Sequence, residues 1–331
     1  MTRRIAAVER ELVVRTSAAR AVRALDRAAR TGGRIVAGPF LGEVGFELEY
    51  WIPFLRRELR RRGIERERAV VITRGGAGLW YEDFAAGAVD LFELLPPESY
   101  VEGLEARRAR ARDLKQLRSD RFDRELIRLA LARTGPATVV HPSLMFARLR
   151  GLWFQGVPPE ELWHLLEFRP LEVDPAGLPG IPERFVAVKA YFNECLPPTE
   201  ENRLFFRRMV ERLVERVDVV LLSTGLVVDD HEEWATRHER VHSIEHLLRP
   251  EDNLAVQTRL ISRAAGLVST YGGFSYLGAL LGVPTLTFTQ FDQTVPVHLD
   301  VLRRAFPRAD YTQSPVGDDG AIADFAARAA P

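Results

Sequence analysis

The residues best placed for chemistry in this sequence lie in a glycine turn within residues 266–289. That segment opens on a short apolar run and closes on a β-branched one, which predicts two strands with a short helix between them. Tyr271, Gly272 and Gly273 break the first strand. A glycine pair lets a ligand approach the backbone, and the start of the next helix offers N–H groups and a positive dipole end. The turn predicts a phosphate site, although a tight strand-to-helix turn in any α/β sheet has the same pattern.

The predicted phosphate donors are backbone and side-chain groups around this turn. They are the N–H groups of Gly273, Phe274 and Ser275, with the hydroxyls of Thr270 and Ser275 beside them. Asn253 lies on the helix that leads into the first strand of the turn. Its amide is predicted to bond a nucleotide base or neighbouring backbone, or to cap its own helix.

A second candidate site follows the first predicted strand, at residues 34–37. The loop after that strand contains Gly42, Glu43 and Gly45, and Glu47 follows where a helix is expected to begin. An alcohol is a poor nucleophile until a base takes its proton, and a positioned carboxylate does this. We predict Glu43 as a general base, with Gly42 and Gly45 beside the molecule that it would deprotonate. Glu47 is the rival, and the alternative for it is to complement the helix dipole or hold the loop.

Arginine, histidine and aromatic residues follow other predicted strands of the N-terminal half. Arg74, Trp80 and Tyr81 come after the strand at residues 69–73, and His141 directly follows a later strand. Open α/β sheets bind ligands at the carboxyl ends of their strands, so these residues are predicted to line an acceptor cleft. Aromatic faces also stack well on sugar rings. The alternative for Trp80 and Tyr81 is a place in the core.

Composition limits the classes of protein to consider. The chain has 331 residues, 46% hydrophobic content, a formal net charge of +0 and a mean hydropathy of −0.12. No basic field favours nucleic acid. A single cysteine, Cys195, excludes an internal disulfide and a cysteine-built zinc site, and no metal motif is present. No apolar run approaches the roughly 20 residues that span a bilayer. Without a signal peptide pattern, a cytoplasmic location is expected.

Residues 1–33 are predicted to form a basic helical extension. Up to Arg34, the chain has nine arginines and three acidic residues. A basic helix of this kind can lie on anionic lipid, so one interpretation is peripheral contact with the inner face of a membrane. The other interpretation is a solvated helix that packs on the domain behind it.

Strands and helices alternate through both halves, which predicts two doubly wound parallel α/β domains. A Rossmann-like N-terminal domain is predicted over residues 34–168 and a second over residues 185–331. The linker at residues 169–184 is rich in proline and glycine. A helix is expected over residues 46–62, with Arg56 on its solvated side.

The glycine turn resembles the donor-binding segment of the GT-B glycosyltransferases, most closely the heptosyltransferase-like branch. There, a glycine turn and a hydrophobic helix lie against the phosphates of a sugar nucleotide, and a Gly-x-Pro sequence enters the next strand. The matching positions are Gly273, Ala279, Leu281 and Pro284.

Other positions show where the pattern is kept and where it differs. Tyr271, Gly272 and Tyr276 stand where the heptosyltransferases place Asp-Thr and a histidine. Near the N-terminus, the pair Gly42 and Glu43 stands where their first strand ends in Gly-Asp.

The resemblance implies a cofactor-free, metal-independent glycosyltransferase of cell envelope polysaccharide biosynthesis. Its donor would be a nucleotide-diphosphate sugar, and its acceptor a hydroxyl of a glycan or a lipid-linked molecule. The acceptor would bind the N-terminal domain and the donor the C-terminal domain, across a cleft between them. Glu43 would take the place of the catalytic aspartate. Lys189 would neutralise the leaving diphosphate, the alternative being a surface lysine at a strand edge.

Two other functions are compatible with the same sequence. One is a sugar-nucleotide epimerase of the same architecture, which would turn over the nucleotide sugar without an acceptor. The other is a non-catalytic, membrane-associated binding protein that uses residues 1–33.

Overall fold

We describe a computed structural model of the protein. It describes residues 2–111, 116–154, 156–174, 178–192, 196–226, 232–290 and 296–330. The chain divides into two compact units, Met1–Phe168 and Arg169–Pro331. Each unit contains a parallel sheet with helices in its connections, so the predicted fold class of two Rossmann-like α/β units is confirmed. Cys195 and the side chains of the first fifteen residues lie outside the described part of the chain.

Twelve strands and thirteen α-helices are found among the described residues. The strands are β1 Ile35–Ala37, β2 Ala69–Thr73, β3 Gly87–Asp90, β4 Thr138–Val140, β5 Phe185–Lys189, β6 Tyr191–Phe192, β7 Asp218–Leu221, β8 Glu232–Glu233, β9 Val241–Ser243, β10 Gly266–Thr270, β11 Thr285–Thr289 and β12 Tyr311–Pro315. The helices are α1 Thr2–Thr31, α2 Val44–Phe46, α3 Ile52–Arg60, α4 Pro97–Ala111, α5 Arg121–Thr134, α6 Ser143–Arg148, α7 Arg150–Phe154, α8 Pro159–Leu162, α9 Glu200–Val214, α10 Asn253–Arg263, α11 Gly273–Leu280, α12 Pro296–Ala305 and α13 Asp319–Ala329.

The sheet of the first unit has the strand order β3-β2-β1-β4, and all of its pairs are parallel. The central strand β1 is short and fully buried, and Ile35 pairs with Ala69 on one side and Thr138 on the other. The chain runs outward from β1 to β3 and then returns as β4 on the opposite side. The strand order therefore reverses between β1 and β4, and ligands bind open α/β sheets outside the carboxyl ends of strands at such a point.

The core of this unit is a layer between the sheet and α5. Val36 and Ile72 lie against Leu126 and Ala130 in one buried cluster. Helix α5 presents these two residues at a spacing of four, which places them on one helical face. It begins at a capping box between Asp120 and Asp123, which satisfies two N–H groups of the first turn.

The helix after β1 is interrupted by a wider turn. A π-helical stretch, Glu47–Trp51, connects α2 to α3, and all five of its residues are buried. Pro53 is the second residue of α3, so its missing N–H lies where the helix changes from the wider turn to the α-helix. Arg56 was predicted to be solvated, and this is wrong, because its side chain is only 2% exposed and donates to Asp83 at 2.8 Å and to the carbonyl of Glu167 at 2.8 Å.

Helix α1 belongs to the first unit by its contacts. Leu25 and Ala28 are buried, Asp26 pairs with Arg62 at 2.7 Å, and Arg68 donates to the carbonyl of Gly33 at 2.9 Å just beyond the end of the helix. These contacts match the packing interpretation of residues 1–33, and contact with a membrane stays a prediction. Within the described residues, every helix is too short or too polar to cross a bilayer.

The sheet of the second unit has six strands in the order β12-β11-β10-β5-β7-β9, and all of them are parallel. The chain leaves β5 toward β7 and β9 and later returns on the other side of β5 as β10. The reversal of order lies between β5 and β10, where Lys189 and the glycine turn follow their strands. A buried layer of α9 side chains, including Phe205 and Phe206, packs against β-branched and aromatic residues of this sheet.

The sequence analysis did not find β3, β12 or α13. Strand β3 is only four residues long, and two of them are not buried. Strand β12 lies at the sheet edge, and only one of its five residues is buried, so it lacks an apolar signal. Each lies at an edge of its sheet and pairs with another strand on one side only.

Asp90 ends β3 and holds two turns by hydrogen bonds. Its carboxylate accepts the N–H of Gly76 at 2.7 Å and the N–H of Phe92 at 2.9 Å. Burial raises the pKa of Asp90 from its ordinary value of 3.8 to about 6, although these backbone N–H groups act in the opposite direction. The folded protein thus holds a proton on this carboxyl at a pH where the unfolded chain has released it.

We expect the stability of the first unit to fall as the pH rises from about 4 to about 6. In that window the folded state binds more protons at Asp90 than the unfolded state, so a rising pH favours unfolding. The shift from 3.8 to about 6 corresponds to about 3 kcal/mol. Urea unfolding followed by tryptophan fluorescence measures it, because four of the five tryptophans lie in this unit.

Two variants serve as controls for this experiment. Asp90→Asn removes the titrating group and should flatten the pH dependence. Asp310→Asn removes a surface carboxylate that pairs with Arg328, and it should leave the dependence as in the parent. An Asp90→Asn variant with the same fall between the two pH values would contradict the assignment.

Candidate functional site

The loop after β1, residues 38–43, begins at the point where the strand order of the first sheet reverses. Its first residue, Gly38, donates its N–H to the carbonyl of Val140 at 2.9 Å and has φ +111. A Cβ at Gly38 would lie 2.7 Å from the carbonyl oxygen of Ile72. The chain can therefore turn away from β1 at this point only with a glycine.

Gln116 holds this loop from one side. Its Nε2 donates to the carbonyl of Pro39 at 2.9 Å, and its Oε1 accepts the N–H of Leu41 at 2.8 Å. The same Nε2 also donates to Asp123 at 2.8 Å. Gln116 is completely buried, so all of these bonds form away from water.

Arg74 holds the loop from the end of β2. It donates to the carbonyl of Phe40 at 2.9 Å and to the carbonyl of Gly42 at 2.9 Å. The sequence analysis placed Arg74 on the wall of an acceptor cleft. That placement is wrong, because the guanidinium is buried and its donors face the loop carbonyls and Glu47.

Glu47 accepts the hydroxyl of Tyr81 at 2.6 Å and a guanidinium N–H of Arg74 at 3.2 Å. Its side chain is 0% exposed. Burial raises the pKa of Glu47, while Arg74 and Tyr81 act to lower it. Because its carboxylate is buried and already accepts two hydrogen bonds, this geometry does not favour Glu47 as the base. Glu47 holds the loop indirectly, by accepting from Arg74, which in turn donates to the loop carbonyls.

Glu43 lies at the open end of the same loop. It is exposed, it has an extended backbone at φ −64 and ψ 145, and it directly precedes α2. Its carbonyl accepts the N–H of Glu47 at 3.1 Å, which fixes the start of the helix. The backbone of Glu43 is therefore held at the start of the helix, while the residue itself is exposed at the surface. Its role as a base stays a prediction.

The other residues predicted for the acceptor cleft are engaged within the first unit. Trp80 is 0% exposed and Tyr81 is buried, so both are core residues and neither can stack on a sugar. His141 follows β4 at the same sheet edge as the loop. Its Nδ1 accepts the N–H of Ser143 at 3.1 Å, and its Nε2 lies 3.4 Å from Asp123. Both ring nitrogens thus face partners in the protein. Gly42 lies in the loop as predicted, whereas Gly45 was also expected in the loop but is buried in α2.

Asp123 is the centre of a buried polar cluster below the loop. Arg107 donates to it at 2.6 Å, in addition to the contacts with Gln116 and His141. Burial alone would raise the pKa of Asp123, but the hydrogen bond from His141 and the charge of Arg107 hold it well below its usual range. The carboxylate therefore stays charged and fixes the orientation of the Gln116 amide.

In the second unit, the hydroxyls predicted to bind phosphate already have partners. Thr270 donates to the carbonyl of Tyr191 at 2.7 Å and accepts its N–H at 3.1 Å, which ties β10 to β6. Ser275 donates to the carbonyl of Gly272 at 2.7 Å and lies 2.9 Å from the hydroxyl of Tyr311. The prediction that these two hydroxyls face a phosphate is wrong, because Thr270 joins two strands and Ser275 closes the glycine turn.

The backbone of the glycine turn retains two candidate donors. The N–H of Ser275 donates to the carbonyl of Gly272 at 3.0 Å, so it is used within the turn. Gly273 and Phe274 are the first residues of α11, where N–H groups have no carbonyl partner within the helix. Gly272 has φ +151, and a Cβ there would lie 2.3 Å from the hydroxyl oxygen of Tyr191. This glycine is needed for contact with a tyrosine, whether or not a phosphate binds.

Lys189 lies at the end of β5 and is 6% exposed. Its ammonium group donates to Glu233 at 2.5 Å and to the carbonyl of Leu222 at 2.8 Å, and it lies 5.0 Å from the centre of the Phe274 ring. The lysine is therefore near the start of α11, as predicted, but its charge is compensated by Glu233. The alternative of a surface lysine is wrong.

Glu233 also organises the turn after β7. Its carboxylate accepts the N–H of Thr224 at 2.6 Å and the N–H of Gly225 at 3.1 Å. Two backbone N–H groups and an ammonium group thus converge on one carboxylate. Such a set of donors suits an anion, and in this structure the anion is a side chain of the protein.

Asn253 and Tyr271 are engaged internally. Asn253 donates to the carbonyl of Pro250 at 2.8 Å and accepts from Gln257 at 3.4 Å, so its side chain holds the entry to α10. Tyr271 is buried and accepts the hydroxyl of Tyr276 at 2.8 Å. Contact of either side chain with a nucleotide is not favoured by this geometry. Within the described residues there is also no group of three potential ligands that could hold a metal ion.

Sequence reasoning missed Gln116, Asp123 and Glu233. Gln116 and Asp123 flank the start of α5, in a part of the sequence that is rich in charged residues and has no recognisable motif. Glu233 was passed over because an acidic pair in a polar stretch has no recognisable spacing.

Comparisons with known proteins found similar folds only. No protein-family model matches the chain, and no curated protein matches it. One matching solved structure is the bacterial iron-containing dodecameric glycosyltransferase TibC from enterotoxigenic E. coli H10407, at 11% identity and a TM-score of 0.40. That match covers 78% of this chain and 58% of TibC, so the chain spans little more than half the length of that protein.

Two further matches cover most of both chains. E. coli heptosyltransferase WaaC with ADP is 12% identical over 90% of this chain and 100% of that one, with a TM-score of 0.42. The glycosyl transferase family 9 protein from Veillonella parvula DSM 2008 is 14% identical over 88% of each chain, with a TM-score of 0.43. These proteins carry names of the class that the glycine turn resembles. At such identities and TM-scores they assign neither a substrate nor a residue role to this chain.

We expect Glu47→Gln to reduce stability by about 3 to 5 kcal/mol, because it leaves the buried guanidinium of Arg74 without its carboxylate. Urea unfolding followed by tryptophan fluorescence measures the loss. The matched control is Glu93→Gln, which breaks an exposed pair with Arg133 at 2.8 Å and should cost under about 1 kcal/mol. Equal losses in the two variants would contradict a structural role for Glu47.

Proposed function

We propose that this protein is a metal-independent glycosyltransferase that moves a sugar from a nucleotide-diphosphate donor to a hydroxyl acceptor. The observation that carries the proposal is Glu43. It is an exposed carboxylate on a loop that Gln116 and Arg74 hold in place, at the point where the strand order of the first sheet reverses. A fixed carboxylate at the carboxyl end of a parallel sheet suits proton removal from a bound alcohol.

The proposed reaction has one bond-forming step. The acceptor oxygen attacks the anomeric carbon of the donor sugar while Glu43 takes the hydroxyl proton. The bond between that carbon and the diphosphate oxygen breaks, and the nucleoside diphosphate leaves with the electron pair. The growing negative charge on the diphosphate needs nearby positive groups, which is the part assigned to the second unit.

Support for donor binding comes from the carboxyl end of the second sheet. The N–H groups of Gly273 and Phe274 begin α11 beside the reversal between β5 and β10, and Lys189 lies against the Phe274 ring. A helix start with a nearby ammonium group suits a diphosphate. The acceptor, a glycan or lipid-linked hydroxyl, and a role in envelope polysaccharide synthesis are proposed on the resemblance of the sequence alone.

Glu43→Gln tests the base directly. The substitution keeps size and hydrogen bonding but removes basicity, so we expect kcat to fall about 100- to 10,000-fold. The affinity for nucleoside diphosphate should stay within about twofold, because donor binding is assigned to the other unit. Transfer is measured as nucleoside diphosphate release from a panel of nucleotide sugars, with and without acceptor.

The comparison variant for this test is Glu93→Gln, which removes an exposed carboxylate elsewhere in the same unit. A kcat in Glu43→Gln equal to that of Glu93→Gln would remove Glu43 from the mechanism. Turnover of the nucleotide sugar without any acceptor would instead favour an epimerase.

Opposite effects are expected for two substitutions at the Lys189 pair. Lys189→Ala should weaken the binding of ADP or UDP about tenfold or more, since it removes a charged hydrogen-bond donor. Glu233→Gln should tighten it, because the ammonium group loses its internal counter-charge. Calorimetric titration at low salt measures both, and added salt should shrink the differences.

A neighbouring glutamate provides the control for charge removal. Glu232→Gln removes a carboxylate one residue away that pairs with Arg203 instead of Lys189, so it should leave the affinity unchanged. If Lys189→Ala binds both nucleotides as the parent does at low salt, Lys189 does not belong to the donor site.

A further inference from the structure

Two buried side chains, Gln116 and Arg74, hold the 38–43 loop by hydrogen bonds that the sequence did not predict. The backbone groups of Pro39, Phe40 and Leu41 are buried at the end of β1, where no strand continues to pair with them. Gln116 and Arg74 supply the missing partners. Together they satisfy three carbonyls and one N–H of four consecutive residues.

Gln116 pairs with the loop in the way that a neighbouring strand would. Its amide donates to one residue and accepts from the residue two positions later, Pro39 and Leu41. That combination needs a donor and an acceptor side by side at the end of one side chain, which the amides of glutamine and asparagine offer without a change of protonation. An apolar residue of similar size would leave both backbone groups unpaired.

Asp123 fixes the orientation of the Gln116 amide. Asp123 accepts from Nε2 at 2.8 Å, so Nε2 is the end that turns toward Asp123 and Pro39, while Oε1 faces Leu41. Asp123 in turn is held by Arg107 at 2.6 Å. A chain of buried polar contacts thus runs from α4 through α5 to the loop that carries Glu43.

Arg74 fixes the other half of the loop. Its two terminal nitrogens donate to Phe40 and Gly42, one residue before Glu43. The planar guanidinium holds both carbonyls at a set separation, which a lysine with its single ammonium group cannot do. Beyond Gly42, the chain enters α2 directly, so the backbone at Glu43 is restrained on both sides.

We infer that Gln116 and Arg74 are positioning residues for Glu43. They affect the removal of the acceptor proton by Glu43 and do not contribute to donor binding. This inference rests on the proposed function. A carboxylate misplaced by about 1 Å loses much of its catalytic effect, so a loosened loop lowers kcat while the other unit binds its ligand as before.

The test compares Gln116→Leu with a variant of equal structural cost. Arg56→Gln breaks a buried ion pair with Asp83 in the same unit but does not touch the loop. For each full-length protein we would measure kcat, the affinity for ADP and UDP, the urea midpoint, and the amide exchange of peptides covering residues 38–48.

The expected result separates the two variants. Gln116→Leu should lower kcat at least tenfold and speed the exchange of the Leu41 amide at least tenfold, with nucleotide affinity unchanged within twofold. Arg56→Gln should lose comparable stability but keep both kcat and loop exchange within twofold of the parent. Arg74→Lys should resemble Gln116→Leu, with a smaller effect on the Leu41 amide.

Other results would overturn the inference. Loop exchange in Gln116→Leu that equals the parent's means that Gln116 does not hold the loop. A kcat loss no greater than that of Arg56→Gln means that the hold does not serve the reaction. A parent protein that transfers no sugar overturns the proposed function and, with it, the positioning role, while the exchange data still decide whether the loop is held.

Discussion

The structure of the first unit depends on one constraint: backbone polar groups that are buried must find hydrogen-bond partners. Strand β1 is only three residues long, and the chain stays buried for four residues after it ends. Gly38 still donates its N–H to Val140 of β4, but no strand pairs with Pro39, Phe40 or Leu41. Gln116 and Arg74 therefore take over the pairing, from elements far away in the sequence. Their own charges and amides then need partners, which explains why Asp123 and Glu47 are buried beside them.

The two units meet this constraint in different ways. In the first, buried side chains bind the loop and leave an exposed carboxylate, Glu43, at its end. In the second, the side chains at the sheet edge bind one another: Lys189 is paired with Glu233, and Thr270 is paired with the backbone. The acceptor side of the proposed reaction is thus organised before any ligand arrives. On the donor side, the charge of Lys189 is balanced by Glu233. A diphosphate must therefore compete with the Glu233 carboxylate for the ammonium group of Lys189.

The sequence predicted the parts of this structure that depend on local pattern. Strands β1, β2, β5 and β10 are apolar runs that end in glycine or polar residues, and both candidate loops follow such runs. The predictions were wrong where the role of a residue depends on whether its side chain is buried. Trp80 and Arg74 were placed at the correct strand end, but a position along a strand does not say whether the side chain faces the core or the solvent. Gln116 was missed because its partner Pro39 lies 77 residues away, and no spacing rule reaches so far.

The contact between Glu47 and Arg74 shows why a costly polar cluster persists in this core. A buried ion pair can often be replaced by apolar residues of similar volume without loss of stability, because its desolvation offsets its attraction. Here that exchange would leave the carbonyls of Phe40 and Gly42 without donors, and each unpaired buried group costs about 1 to 3 kcal/mol. Arg74 is therefore required because it donates to the loop carbonyls, and Glu47 is required because it balances the charge of Arg74. Tyr81 completes the set by donating to the remaining carboxylate oxygen at 2.6 Å. The buried cluster follows from the shape of the loop, and the loop has that shape because β1 ends early at a glycine.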